Sequence, residues 1–153
     1  MKKVFYTIII LFSCNSFAQM DEVSLKHFNL NKKNVAISGY DPVSYFYSNP
    51  KKGKSSIQTK YEGVIYYFEN ERTKDKFIES PNKYMPQYGG WCAYALANKG
   101  ELMNINPKTY KITDGKLYLF YDKFLSNTLG EWNKDEDGLK IKADNNWDII
   151  IED

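Results

Sequence analysis

Twelve residues, Tyr84-Met-Pro-Gln-Tyr-Gly-Gly-Trp-Cys-Ala-Tyr-Ala95, hold most of the chemistry this chain can offer. Gly89 and Gly90 lack a Cβ, so the backbone there can take positive φ and other groups can approach closely. Cys92 follows the pair directly. A thiolate is a nucleophile and a soft-metal ligand, and a helix starting at Gly90 would lower its pKa through the helix dipole. Trp91, Tyr94 and Tyr40 can shape an aromatic seat for a ligand beside it. The alternative is a packing role, since free cysteine is among the most buried residue types.

Few other residues can share that work. His27 is the only histidine, and it sits in a polar stretch without a motif around it. Asp41 precedes Pro42, which suits a helix N-cap followed by a first helical residue. A metal site built from Cys92, His27 and Asp41 supplies one ligand of each type, where zinc sites use three or four protein ligands. No carboxylate pair has spacing for acid–base catalysis, and a Ser–His–Asp triad would have to recruit His27. An enzyme is therefore the weaker expectation.

The elements that must position these residues are short. Val35-Ala36-Ile37 reads as a strand-like run, and Val43 to Tyr47 as a short helix after Asp41. Ile57–Tyr61 and Val64–Phe68 flank the turn Glu62-Gly63 as two strands. Asn70 caps a helix from Glu71 to Ser80, with Phe77 and Ile78 facing inward. Pro81 breaks that helix and starts a further turn to Tyr84. A helix over Gly90–Asn98 ends at Gly100. Pro107–Thr113 and Lys116–Phe120, joined by Asp114-Gly115, form the clearest hairpin. Asp122 is expected to cap a helix across Lys123–Lys134. Leu139, Ile141 and Trp147 are spaced for a last helix. Short helices around short antiparallel hairpins make an α+β fold in one small domain.

The first residues read as a leader. Lys2 and Lys3 precede the apolar run Val4–Phe12, too short to span a bilayer as a helix. Ser16-Phe17-Ala18 supplies small residues for cleavage after Ala18. Leu11-Phe12-Ser13-Cys14 is a rival lipobox, but Phe12 is bulky for it. The expected organisation is a signal peptide at 1–18, a polar lead-in at 19–34 and the domain at 35–153. The full chain has 21 Lys and Arg against 19 Asp and Glu. Removing the leader, with two lysines and no acid, brings the balance to zero, so a nucleic-acid partner is not expected. Export, to a periplasm or outside the cell, follows. Without Cys14, Cys92 has no internal disulfide partner.

Several motifs in order resemble the exported YHS-domain family. They are Ala36-Ile-Ser-Gly-Tyr-Asp-Pro-Val-Ser-Tyr-Phe46, Tyr61-Glu-Gly-Val-Ile-Tyr-Tyr-Phe68, Phe77 to Tyr84, and Tyr88-Gly-Gly-Trp-Cys-Ala-Tyr94. Asp114-Gly-Lys-Leu-Tyr-Leu119 and the region of Trp132 and Trp147 extend the resemblance over residues 35–148. It implies a YHS-like fold. It also implies kinship with TRASH-type modules that hold soft metals through cysteines, yet the matching positions here are Ser44, Glu69 and Thr73. A histidine that many exported relatives carry before the first hairpin turn is replaced by Thr59 or Lys60. Soft ions prefer thiolate or imidazole, so that metal site is missing. Some members of the exported branch resemble selenoproteins at the position of Cys92, which implies a reactive chalcogen.

Three functions follow as expectations. The first is a binding module holding a transition-metal ion or small ligand near Cys92, with Gly89, Gly90, Trp91, Tyr94 and Tyr40 around it. The second is a thiol redox protein, which would need an outside partner to recycle Cys92. The third is a structural or interaction domain with an inert cysteine.

Overall fold

The computed structural model describes residues 25–123 and 126–152. The leader, its cleavage site and the rival lipobox at Cys14 lie outside the described residues. Two hairpins organise the rest. β1 (Lys54–Tyr61) pairs antiparallel with β2 (Val64–Phe68), with Tyr61 opposite Val64 and Thr59 opposite Tyr66. β3 (Asn106–Thr113) pairs antiparallel with β4 (Lys116–Phe120), with Thr113 opposite Lys116 and Tyr110 opposite Leu119. Both two-residue turns have positive φ at each central residue: Glu62 at 47° and Gly63 at 79°, Asp114 at 53° and Gly115 at 71°. That pattern matches the right-handed twist of the flanking strands.

Helices fill the spaces around the hairpins. α1 (Glu71–Glu79) starts where the Asn70 side chain accepts from the Thr73 N–H, and α2 (Pro81–Tyr84) follows with Pro81 in its first turn. α3 (Ala93–Lys99) ends at Gly100, which takes the left-handed conformation. A small ladder, β5 (Asp122–Lys123) with β6 (Ser126–Asn127), leads into α4 (Thr128–Trp132) and then α5 (Glu136–Glu152). The result is an α+β domain with three separate two-stranded antiparallel sheets among the described residues.

β4 ties two cores together. Side chains alternate across a strand, and here both faces are covered. Leu117 and Leu119 enter a core with Val43, Tyr45, Tyr66, Phe68 and Phe77. Tyr118 and Phe120 enter a second core with Tyr88, Leu96, Trp132 and Ala143. Trp132, Phe77 and Phe120 are fully buried. Burying each such ring contributes about 1.5–3 kcal/mol.

Packing departs from the sequence expectation at five places. Leu25, Phe28 and Leu30 pack against the first core, so the lead-in is built into the domain from Leu25 onward. Val35 and Ala36 make only isolated bridges, to Ile65 and Leu30, and Ile37–Gly39 closes into a 3-10 turn. Ser44–Tyr47 is likewise a 3-10 turn. Asp122 opens β5, and α4 is capped instead by Asn127, whose side chain accepts from the Gly130 N–H. Ile78 and Ile141 point outward, at 53% and 64% exposure. Phe77 alone on α1 takes the buried position, because one ring fills the space above β2.

Candidate functional site

The residues between Met85 and Ala93 are laid against β4. Pro86 bridges Leu117 and Cys92 bridges Leu119, both in parallel sense. Between those anchors the chain must turn tightly, and it does so with positive φ at Tyr88 (54°), Gly89 (59°) and Gly90 (84°). The helix therefore begins at Ala93 rather than Gly90, and Cys92 is its N-cap residue without a side-chain capping bond.

The glycines serve a clasp on the lead-in. A Cβ on Gly89 would stand 2.5 Å from the His27 carbonyl oxygen and 3.1 Å from the Trp147 ring. Only hydrogen fits there. The Asn29 N–H donates to the Gly89 carbonyl at 2.9 Å, and its carboxamide donates to the Gly90 carbonyl at 3.1 Å. The Trp91 indole N–H donates to the His27 carbonyl at 2.8 Å. His27 thus meets this region through its main chain. The Tyr88 hydroxyl donates to Asp144 at 2.8 Å. Burial first, and the Asp144 carboxylate second, push its phenol well above the ordinary range.

Cys92 is fully buried. Its sulfur accepts the Tyr121 N–H at 3.2 Å and lies 3.4 Å from the Thr128 hydroxyl oxygen. That hydroxyl donates to the Tyr121 carbonyl at 2.7 Å. A hydroxyl has one proton to give, so the bond between Cys92 and Thr128 runs from thiol to hydroxyl oxygen. The Cys92 N–H donates to the Met103 carbonyl at 3.0 Å, and its carbonyl accepts from Leu96. The cysteine is a junction between the turn, α3, the Leu102–Ile105 stretch and the start of α4.

A cleft of about 640 Å³ opens beside this junction. Tyr94, Leu102 and Met103 give it an apolar side, Lys99 and Lys123 supply two cations, and Thr128 is shared with the sulfur. Among the described residues no Asp or Glu lines it. Tyr94 lines the cleft, and Met103, Tyr121 and Thr128, which also line it, are bonded to Cys92. Cys92, Gly89, Gly90, Trp91 and Tyr40 are not among the lining residues. Tyr40 packs on the first core, with the Lys52 ammonium 5.1 Å from its ring centroid.

Asp41 is fully buried and already committed. One carboxylate oxygen accepts the Val43 N–H at 2.9 Å and the other accepts the Glu69 N–H at 2.9 Å. It pins the 3-10 turn of Ser44–Tyr47 to the end of β2. Among the described residues no three or more His, Cys, Asp or Glu side chains gather as metal ligands, so His27, Asp41 and Cys92 are not brought together. A sealed thiol holding a backbone N–H, and a carboxylate holding two, do not fit a soft-metal centre. No family model, curated protein or solved structure matches the chain.

Sequence reasoning missed Leu102, Met103, Lys99, Lys123 and Thr128. None stands in a motif. Thr128 is 36 residues beyond Cys92, and only the fold joins them.

Proposed function

We propose that this chain is an exported, YHS-like binding domain whose ligand is a small organic molecule with an apolar body and an acidic group. The single observation that carries the reading is the cleft over the Cys92–Thr128 pair. Its size falls within the ~300–1,000 Å³ typical of small-molecule pockets. Tyr94, Leu102 and Met103 offer apolar surface, while Lys99 and Lys123 face no carboxylate among the described lining residues. An anionic ligand satisfies both features. In this reading Cys92 is a positioning residue. Its sulfur fixes Tyr121 and Thr128, two lining residues, from behind. The thiol-redox alternative has less support, because the sulfur is covered on every side.

The test uses 1-anilinonaphthalene-8-sulfonate, an apolar anion, with the natively folded protein. One saturable site is expected. Lys99→Glu and Leu102→Asp, both at surface positions, should each weaken it about tenfold, the scale of removing one charge or one apolar side chain from a binding seat. Equal affinity in wild type and both variants would remove the cleft as the seat.

A further inference from the structure

A second concavity shares no residue with that cleft. It measures about 300 Å³ and is lined by Tyr47, Asn70, Arg72, Thr73 and Lys76. Arg72 is the only arginine in a chain rich in lysine. Its forked guanidinium suits planar oxyanion groups in a way that lysine does not. Among the described residues neither Arg72 nor Lys76 has a carboxylate partner, whereas Lys74, Lys111, Lys134 and Lys140 each have one. Glu71, the acid nearest in sequence to Arg72, is taken by Lys74 at 2.5 Å. Among the described residues no carboxylate pairs with either cation of this concavity.

Tyr47 completes the wall. More than half of its surface is open to solvent, at 57%. The Lys76 ammonium donates to its hydroxyl and lies 4.9 Å from the ring centroid. That hydrogen bond, with the charges of Lys76, Arg72 and Lys83, holds the phenol below its ordinary range. At the start of α1 the Thr73 N–H is already taken by the Asn70 carboxamide oxygen.

We infer that this concavity seats a small oxyanion-bearing molecule, a phosphate monoester or a carboxylate, with Arg72 and Lys76 on the oxyanion and the Tyr47 ring against its carbon body. Charge-assisted bonds to a forked guanidinium give such sites their strength. The lining is mainly hydrocarbon from the ring and the two cationic stems, so a ligand with an attached ring should bind better than the bare ion.

The experiment is an NMR titration of ¹⁵N-labelled protein at low salt, following the Arg72 Nε–H and Tyr47 signals. The probes are inorganic phosphate, phenyl phosphate and benzoate. A saturable shift is expected for phenyl phosphate or benzoate, with the stronger of the two telling which oxyanion is preferred. Arg72→Gln and Lys76→Gln should each raise the dissociation constant about tenfold, the usual scale for removing a charge-assisted bond. Tyr47→Ala should erase the advantage of phenyl phosphate over inorganic phosphate. Leu102→Asp, in the other cleft, should change nothing, which separates failure here from failure of the functional reading. Non-saturating shifts, or an unchanged affinity in Arg72→Gln, would overturn the inference and leave only diffuse charge attraction.

Discussion

Gly89→Ala isolates what the glycine pair does. The position has φ of 59°, and an added Cβ meets the His27 carbonyl oxygen at 2.5 Å. The left-handed backbone alone costs an L-residue about 1–2 kcal/mol. The obstacle is backbone, so it cannot be relieved by turning a side chain. Relief requires the His27–Asn29 stretch to retreat, which strains or breaks three hydrogen bonds: Asn29 N–H to Gly89, Asn29 carboxamide to Gly90, and Trp91 indole to His27. At roughly 1 kcal/mol each, the total destabilisation is about 4–5 kcal/mol, a large part of the ~5–15 kcal/mol that holds a domain.

Gly115→Ala is the matched control. Its φ is 71°, and an added Cβ meets nothing within 4 Å. It should show only the backbone cost of about 1–2 kcal/mol. Urea unfolding followed by tryptophan fluorescence and far-UV circular dichroism measures both variants. Hydrogen exchange at the Asn29 amide adds a local readout: protection should fall in Gly89→Ala and hold in Gly115→Ala. If the two variants differ by less than ~1 kcal/mol, or Asn29 stays protected in both, the clasp is not what the glycines are for.

Three further outcomes follow from polar side chains that hold backbone or side-chain donors. Cys92→Ala strips the acceptor from the Tyr121 N–H and should cost about 1–3 kcal/mol in urea unfolding; in the unaltered protein, a thiol reagent should label Cys92 only as fast as the fold opens, and labelling within seconds under native conditions would contradict its burial. Asp41→Asn keeps one oxygen but turns an amide N–H₂ toward the second backbone donor, Val43 or Glu69, so it should destabilise by about 2–4 kcal/mol and lower the thermal midpoint. Glu136 is opposed by its own desolvation, but hydrogen bonds from Lys111, Thr113 and Trp132 outweigh it and leave its carboxyl below the ordinary value of 4.5. The native state therefore binds that proton more weakly than the unfolded chain. Its stabilisation is complete above about pH 4.5 and disappears as pH falls through the acid range; Glu136→Gln should flatten that limb of a stability–pH curve.

The hairpins were legible because their signals are local. Glu62-Gly63 and Asp114-Gly115 need positive φ, and both turns fall where those dipeptides stand. Asn70 and Gly100 likewise mark the ends of α1 and α3 with their own chemistry. Local signals failed where a neighbour distant in sequence prevailed. Asp122 is a good cap on its own, yet its carboxylate accepts from the Thr109 hydroxyl at 3.0 Å and its backbone pairs with Asn127. Ile141 fits the periodicity of α5, but the side of α5 that packs on the domain is set by Leu139, Ala143 and Trp147.

The site divides along the same line. Gly-Gly-Trp-Cys is conspicuous in sequence because unusual residues adjoin. In space each makes its own contact: Gly89 lies against the His27 carbonyl and accepts from the Asn29 N–H, Gly90 accepts from the Asn29 carboxamide, the Trp91 indole donates to the His27 carbonyl, and Cys92 accepts from the Tyr121 N–H. Adjacency along the chain reflects one tight turn laid on β4, with four different structural demands in succession. The cleft instead draws on α3, the stretch after it, β5, β6 and the first residue of α4. Its lining residues, leucine, methionine, lysine and threonine, are individually ordinary, so no local pattern marks them. What relates the two is the sulfur's hold on Tyr121 and Thr128, both of which line the cleft. A substitution at Thr128 therefore reports on both. Thr128→Val keeps the shape but leaves the Tyr121 carbonyl without its donor and removes one polar group from the cleft. If cleft binding persisted unchanged in a stably folded Thr128→Val protein, the coupling of sulfur to cleft through Thr128 would be refuted while the cleft itself would stand.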